Sequence, residues 1–253
     1  MIHDEHTIQR PFAVVTSATE WFGSELAKQF ASKGFDLLIT SKDDTVHGIR
    51  DELLKYGVFV ESYVLDLSTY KGVETLRENI KSFGHPIDAL AFYADEGPDG
   101  PFLETDIGSE FAIIRQNILG PVHLLKGILK EMVERGHGRV LISSALGPTN
   151  EAPYEAVYGA SKSFLFSFTE ALRSEIRNSG VTLTTSLPNL YEVPTESELK
   201  AMEDPEELAR ESFDALMAGR DYVFEATFKT KLQGIFSRLI PDKARAFIAH
   251  TPS

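Results

Sequence analysis

The stretch TSATEWFG, Thr16–Gly23, decides the fold because it joins an apolar run to a segment with helical spacing. The apolar run before it is Phe12–Val15, and the helix-like segment after it is Ser24–Ser32. A strand, a tight turn and a helix together begin a nucleotide-binding α/β unit, in which the turn and the helix N-terminus hold phosphates. Such a turn normally contains three glycines, whereas this one contains only Gly23 and also a tryptophan, Trp21.

Short β-rich runs alternate with helical patterns along the rest of the chain. This alternation predicts an α/β fold with a single doubly wound parallel sheet and helices on both faces, in one domain over residues 1–253. The strands are predicted at Phe12–Thr16, Phe35–Thr40, Val58–Leu65, Ile87–Tyr93, Arg139–Ser143, Val181–Leu187 and Tyr222–Phe224. The helices are predicted at Trp21–Ser32, Val46–Tyr56, Val73–Phe83, Ile107–Arg135, Tyr154–Asn178 and Glu206–Ala218.

Composition excludes several classes of function. The chain has 253 residues and a formal net charge of −13, which disfavours nucleic acid and anionic membranes as partners. It has no cysteine, so disulfides, thiol catalysis and zinc–thiolate sites are excluded. The seven histidines show no metal-ligand spacing, and no metal site is predicted. Without a signal peptide pattern or an apolar run of about 20 residues, a cytoplasmic protein is expected.

The segment YGASK, Tyr158–Lys162, contains the chemistry most specific to one reaction type. Tyr158 and Lys162 are four residues apart and share a helix face. A lysine beside a phenol stabilises the phenolate and lowers the tyrosine pKa, which makes the hydroxyl a usable acid or base near neutral pH. Upstream, Ser143-Ser144 ends a predicted strand, where a serine hydroxyl can hold a carbonyl oxygen. Each feature alone has a simpler explanation, as a surface pair on a helix or as turn chemistry.

In this order and spacing the motifs resemble the short-chain dehydrogenase/reductase family, over roughly residues 11–225. The resemblance implies a Rossmann-like fold, with Tyr158 as proton donor or acceptor. Lys162 would lower the pKa of Tyr158 and bind the nicotinamide ribose, and Ser144, rather than Ser143, would orient the substrate carbonyl. Asn117, within RQNILG, would hold a water that links Lys162 to solvent.

The cofactor turn departs from the family pattern TGxxxGxG. Thr16 fits the pattern, whereas Ser17 and Trp21 replace the first two glycines and only Gly23 remains. The first glycine makes the tight turn, the second allows the backbone to approach the pyrophosphate, and the third allows helix–strand packing. Either Ser17 adopts the turn and Trp21 rotates outward, or Trp21 and Tyr93 fill the nucleotide cleft.

Two other segments also differ from the family. The NNAG segment after the fourth strand is replaced by Phe92–Asp95, and Asp95-Glu96 adds negative charge near an anion site. After the second strand, Ser41 and Lys42 can hold a 2′-phosphate, which favours NADP over NAD, although acidic Asp43-Asp44 follows and the segment can equally be a solvated loop. Asp66 would contact the adenine amino group, or caps the next helix. The residues expected to line the dinucleotide are Thr16, Ser17, Trp21, Phe22, Gly23, Ser41, Lys42, Asp66, Leu67, Ala94 and Pro188.

Two hypotheses for the function follow. The first is an oxidoreductase that passes a hydride between NADP(H), with NAD possible, and a small-molecule carbonyl or alcohol. The second is a protein of the same fold that has lost the dinucleotide and acts as a binding or scaffold protein. A substrate lid is expected at about residues 188–204 and an amphipathic tail at about 228–250. Homo-oligomerisation through the long helices Ile107–Arg135 and Tyr154–Asn178 is expected from the resemblance.

Overall fold

The computed structural model describes residues 10–94, 97, 100–144, 156–187 and 205–224. Its strands are β1 (Phe12–Thr16), β2 (Asp36–Ser41), β3 (Val60–Val64), β4 (Ala89–Phe92), β5 (Gly138–Ser143), β6 (Val181–Leu187) and β7 (Tyr222–Phe224). Its α-helices are α1 (Trp21–Ser32), α2 (Val46–Leu53), α3 (Tyr70–Ser82), α4 (Ile107–Ile114), α5 (Gly120–Arg135), α6 (Ala156–Glu175) and α7 (Pro205–Met217). Within this part of the chain, none of the helices combines the length and the apolar character needed to cross a membrane.

The seven strands form one parallel sheet in the order β3-β2-β1-β4-β5-β6-β7. The strand order reverses between β1 and β4, where Val15 is paired with Ile39 on one side and Ala91 on the other. In a doubly wound sheet, ligands bind beyond the carboxyl ends of the strands at such a switch point. The prediction of a doubly wound parallel sheet is confirmed, and the turn TSATEWFG lies at the switch point.

Alternate residues of β1 face two separate hydrophobic layers. Ala13 and Val15 pack in a cluster with side chains of α1 and α7. Phe12 and Val14 pack in a second cluster with side chains of α3 and α5. Because helices cover both faces of the sheet, the strand is apolar at every position, as its continuous apolar run predicts.

The end of one predicted strand and the start of one predicted helix differ from the structure, and hydrogen bonds explain both differences. The predicted strand Ile87–Tyr93 ends at Phe92, because the N–H of Tyr93 donates to the hydroxyl of Thr16 instead of to the sheet. Helix α3 begins three residues before the predicted Val73, because the Thr69 hydroxyl accepts the N–H of Gly72 and caps the helix. The segment TYKG contains no apolar periodicity, so the cap was the only signal for this start.

The other predicted helices differ only at their ends. The predicted helix Val46–Tyr56 is α2 followed by one 3₁₀ turn, and the predicted Glu206–Ala218 is α7 shifted by one residue. The predicted start at Tyr154 lies outside the described residues. Helix α6 ends at Glu175, three residues before the predicted Asn178, whose φ of 71° is left-handed and incompatible with a continuing helix.

The predicted helix Ile107–Arg135 is continuous but contains a π-helical turn at Arg115–Leu119. The buried residues of this segment extend from Glu110 to Met132 and include Gln116 and Asn117 within the π turn. A π turn closes i→i+5 hydrogen bonds where an α-helix closes i→i+4 bonds, and such turns are frequent at functional sites.

The last strand of the sheet is held by Arg173 of α6. Its guanidinium donates to the hydroxyl of Thr185 at 3.0 Å and to the carbonyl of Asp221 at 2.9 Å. Beside it, the hydroxyl of Tyr222 donates to the carboxylate of Glu170 at 2.6 Å. Burial, followed by the negative charge and hydrogen bond of Glu170, raises the pKa of Tyr222 to about 12.

We expect the folded protein to lose stability between about pH 10 and pH 12, in part through Tyr222. An unfolded tyrosine ionises near a pKa of about 10, while folded Tyr222 keeps its proton, so the folded state binds more protons in this window. Its stabilising contribution is complete below about pH 10 and falls as pH rises. In urea unfolding at several pH values, Tyr222→Phe should show a shallower alkaline loss than the wild type. The exposed control Tyr56→Phe should keep the wild-type slope, and equal slopes in all three proteins would contradict the assignment.

Candidate active site

The turn TSATEWFG keeps the backbone shape that its missing glycines would supply. Ser17 has a φ of 51°, the left-handed conformation expected of the first glycine. A Cβ on Gly23 would lie 2.2 Å from the carbonyl oxygen of Ser17, so α1 packs directly on the turn. At the start of α1 no side chain caps the backbone, and the indole of Trp21 is 42% exposed. The first N–H groups of α1 therefore remain available to an anion, and Trp21 is exposed to solvent.

The end of β4 is tied to this turn through Tyr93. The hydroxyl of Thr16 accepts the Tyr93 N–H at 2.9 Å and lies 3.0 Å from the Tyr93 carbonyl, to which it donates. The hydroxyl of Ser17 donates to the same carbonyl at 3.0 Å. The Tyr93 ring is 3% exposed and packs edge-on against Phe22, with ring centroids 5.5 Å apart. Tyr93 thus belongs to the hydrophobic core beneath the turn, whereas Trp21 at the start of α1 is exposed.

Helix α6 presents Tyr158 and Lys162 to this same edge of the sheet. Lys162 is only 3% exposed, and its ammonium donates to the carbonyl of Ala94, just beyond β4. The Lys162 Nζ lies 5.4 Å from the ring centroid of Tyr158 and 5.9 Å from that of Tyr93. The half-buried ring of Tyr158 also faces Gly97, on which a Cβ would lie 3.5 Å from the ring. A cation beside a phenol stabilises its ionised form, so this arrangement suits acid/base chemistry.

The two serines at the end of β5 have different surroundings. Ser144 is buried, its N–H donates to the Ser186 carbonyl at 2.9 Å, and its hydroxyl donates to the Lys162 carbonyl at 2.9 Å. Ser143 is also buried, and its hydroxyl has no hydrogen-bond partner within the described residues. Ser144 therefore contacts the helix of the tyrosine–lysine pair, and Ser143 does not.

The π turn brings Asn117 into contact with α6. The Asn117 side chain is fully buried, and its Nδ2 donates to the hydroxyl of Ser161 at 3.0 Å. The Ser161 hydroxyl donates in turn to the backbone carbonyl of Tyr158 at 2.7 Å. A chain of two hydrogen bonds thus connects Asn117, through the Ser161 hydroxyl, to the backbone of Tyr158. Sequence reasoning did not single out Ser161, although its place three residues after Tyr158 on a helix was a usable signal.

At the end of β2, Ser41 belongs to a hydroxyl–carboxylate cluster. Its hydroxyl lies 2.5 Å from that of Thr19 in the turn and 3.2 Å from a carboxylate oxygen of Asp43. Thr19 also donates to Asp43 at 3.0 Å. The hydrogen bond from the Thr45 side chain is the largest of several that hold the pKa of Asp43 below its usual value. A fixed negative charge therefore lies beside the residue predicted to hold a 2′-phosphate.

The other predicted cofactor residues have different surroundings or lie outside the described residues. Asp66 is exposed, and its carboxylate accepts the N–H of Ser68 at 2.9 Å, as in a turn that leads into α3. Leu67 is buried in the core, and Lys42 is exposed. Several of the predicted features lie outside the described residues: Asp95, Glu96, Pro188, the lid expected at about 188–204 and the tail expected at about 228–250.

Comparison with known proteins points to one family. The family model for short chain dehydrogenases matches residues 11–204. Dehydrogenase/reductase SDR family member 7B of Xenopus laevis is 27% identical over 188 residues, which are 72% of this chain and 58% of that protein. An uncharacterized oxidoreductase of Staphylococcus saprophyticus is 26% identical over 218 residues, covering 83% of this chain and 92% of that protein. Relatives such as the Xenopus protein are thus much longer than the segment they share with this chain.

A solved structure shares the fold over most of its length. The metagenomic short-chain oxidoreductase in complex with NADP has a TM-score of 0.74 at 21% sequence identity. The match covers 85% of this chain and 95% of the other. At this identity the likeness concerns the fold alone.

Proposed function

The chain belongs to the short-chain dehydrogenase/reductase family of oxidoreductases, and we propose on this basis that it interconverts a carbonyl and an alcohol, with a nicotinamide dinucleotide as hydride carrier. One observation supports this proposal above the others. The buried ammonium of Lys162 lies 5.4 Å from the ring centre of Tyr158, at the carboxyl edge of the sheet beside the strand switch. This is an acid/base pair in the place where a doubly wound sheet binds its ligand.

The residues present fit a dinucleotide. Ser17 has the left-handed backbone of a glycine, and α1 is packed on the turn through Gly23. The Trp21 side chain is not buried. In this proposal the turn and the first N–H groups of α1 hold the pyrophosphate. Lys162 and the backbone near Ala94 would hold the nicotinamide ribose. The bound nicotinamide would supply or accept the hydride.

The residues of this chain would move the proton. In the direction of reduction, the Tyr158 hydroxyl gives its proton to the substrate oxygen as the carbonyl carbon gains the hydride. In the direction of oxidation, ionised Tyr158 accepts the proton of the alcohol. The positive charge of Lys162 stabilises the phenolate in both directions. The Ser144 hydroxyl, which donates to the Lys162 carbonyl, would turn to the substrate oxygen and orient it.

Asn117 is proposed to support proton return to Lys162. Its side chain is held by Ser161, which is bonded to the Tyr158 carbonyl. A water held at the π turn would connect the Lys162 ammonium to solvent. The polar chain through Ser161 fixes Asn117 relative to α6, and this favours a positioned water over a mobile one.

The experiment that tests this function uses Trp21, the only tryptophan in the sequence. NADPH and then NADH are titrated while tryptophan emission is followed, and calorimetry checks for optical artefacts. Saturable quenching with matching heat would support the proposal, and carbonyl substrates would be screened next. The absence of both signals at millimolar dinucleotide would overturn it in favour of the second hypothesis, a binding or scaffold protein.

We propose that the dinucleotide is NADP and that the Asp43 carboxylate weakens its binding. In this proposal Ser41 and Lys42 would hold the 2′-phosphate. The Asp43 carboxylate, which accepts hydrogen bonds from Ser41 and Thr19, would repel that phosphate. We therefore expect Asp43→Asn to tighten NADPH binding about tenfold and to leave NADH binding nearly unchanged. Calorimetric titration measures both affinities. The neighbouring control Asp44→Asn should change neither, and equal effects of Asp43→Asn on both dinucleotides would contradict the prediction.

We also propose a homo-oligomer that associates through the long helices. Phe111, Leu119 and Phe164 expose apolar side chains on α4, the π turn and α6. A groove between α5 and α6 continues this surface. A second copy of the chain would cover these side chains, and sedimentation velocity measures whether it does. The apolar residues that line the groove are Val122, Leu125, Leu129, Val133, Phe168, Leu172 and Ile176.

A further inference from the structure

The ammonium of Lys162 is enclosed between two tyrosine rings. Lys162 is 3% exposed, so almost all of its hydration is lost. A buried charge is unfavourable unless other groups replace water around it. The Ala94 carbonyl accepts one of its hydrogen bonds, and the ring centroids of Tyr158 and Tyr93 lie 5.4 Å and 5.9 Å from Nζ. Both distances are within the range of favourable cation–π contacts.

Tyr93 is held through both its backbone and its ring. Its backbone N–H and carbonyl are both bonded to the hydroxyl of Thr16, and the carbonyl also accepts from Ser17. Its ring is 3% exposed and packs edge-on against Phe22. A ring held at the backbone and in the core cannot move away from the ammonium. Tyr158, by contrast, is half-buried.

We propose that Tyr93 is a positioning residue for the acid/base pair, whose ring fixes the Lys162 ammonium beside the phenol of Tyr158. This inference rests on the proposed function for its purpose, since the pair matters only if Tyr158 transfers a proton. The negative face of the Tyr93 ring attracts the ammonium, and in this proposal the attraction does not require the Tyr93 hydroxyl. Because Thr16 and Ser17 hold Tyr93, the cofactor turn and the acid/base pair are parts of one rigid unit.

The direct test is the titration of Tyr158 in the free protein. Tyrosine is labelled with ¹³C at Cζ, and the Tyr158 resonance is identified by its absence in Tyr158→Phe. The pH titration of this resonance is then compared between the wild type, Tyr93→Leu and Tyr93→Phe. Leucine keeps an apolar side chain in the core but has no ring, whereas phenylalanine keeps the ring. We expect Tyr93→Leu to raise the apparent pKa of Tyr158 by about half to one pH unit, because the cation is held less closely. Tyr93→Phe should restore the wild-type value.

Two results would overturn the inference. One is a Tyr158 titration that does not move in Tyr93→Leu, and the other is an equal shift in Tyr93→Phe, which would assign the effect to the hydroxyl. If Tyr93→Leu does not fold, fluorinated phenylalanines placed at residue 93 weaken the ring face at nearly constant shape. The apparent pKa of Tyr158 should then rise with each added fluorine, and a constant value overturns the inference. The titration needs neither dinucleotide nor substrate, so failure of the proposed reaction is seen separately, as lack of binding or turnover.

Discussion

Replacing Tyr158 by phenylalanine is expected to lower kcat by about 10²- to 10⁴-fold while dinucleotide affinity stays within a factor of about two. The substitution removes the hydroxyl proposed to transfer the proton and keeps the ring, so the Lys162 ammonium retains its aromatic neighbour at 5.4 Å. The cofactor contacts proposed for the turn do not involve the hydroxyl. Steady-state kinetics on a substrate found by screening, together with the Trp21 titration, measures the two quantities separately.

The matched control is Tyr56→Phe, because Tyr56 is 50% exposed in the 3₁₀ turn after α2 and has no role in the proposed reaction. It should leave both kcat and affinity at the wild-type values. A Tyr158→Phe protein that retains most of its kcat would assign the proton transfer to another group. A loss of affinity without a loss of kcat would make Tyr158 a binding residue.

Replacing Gly23 by alanine is expected to destabilise the protein by about 3 kcal/mol and to abolish dinucleotide binding. The added Cβ would lie 2.2 Å from the carbonyl oxygen of Ser17 and 3.3 Å from the Cα of Ala18, and both atoms belong to the backbone. A backbone atom cannot turn aside as a flexible side chain does, so α1 must move away from the turn. This displacement removes the first N–H groups of α1 from the place of the pyrophosphate. For a chain of this size we expect a fall in Tm of about 6–12 °C.

Gly48→Ala is the matched control for this substitution. Gly48 lies within α2, and a Cβ there would meet no atom within 4 Å. Alanine favours a helix over glycine, so this variant should be more stable than the wild type by about 0.5–1 kcal/mol. Urea and thermal unfolding measure both variants. A Gly23→Ala protein as stable as Gly48→Ala would show that the turn and α1 separate easily.

The architecture could be predicted because its signals are local and repeated. Continuous apolar strands and periodic helices are read from short windows, and glycines such as Gly34 and Gly136 mark helix ends with left-handed φ values of 83° and 73°. The misplaced boundaries depend on contacts between distant residues. Tyr93 leaves β4 because of the hydroxyl of Thr16, which is 77 residues away in the sequence, and no local pattern contains that contact.

The candidate site was less accessible to sequence reasoning. The spacing of Tyr158 and Lys162 predicted that they share a helix face. It did not predict the contacts of Lys162 with Tyr93 and Ala94, which follow β4. From the sequence, Asp43 could be interpreted only as a negative charge that would repel a phosphate. Its hydrogen bonds to Thr19 and Ser41 were not predictable, because they join two different βα turns. A sequence shows which chemical groups are present. It does not show which groups from different strand ends meet, because that depends on how the strands are ordered and aligned in the sheet.

In genetic terms, the π turn at Arg115–Leu119 is a place where the number of codons matters as well as their identity. Its residues Gln116 and Asn117 are both buried, and Asn117 donates to the Ser161 hydroxyl of α6. The turn closes i→i+5 hydrogen bonds where an α-helix closes i→i+4 bonds. Deleting one codon there is therefore expected to displace Asn117 from Ser161.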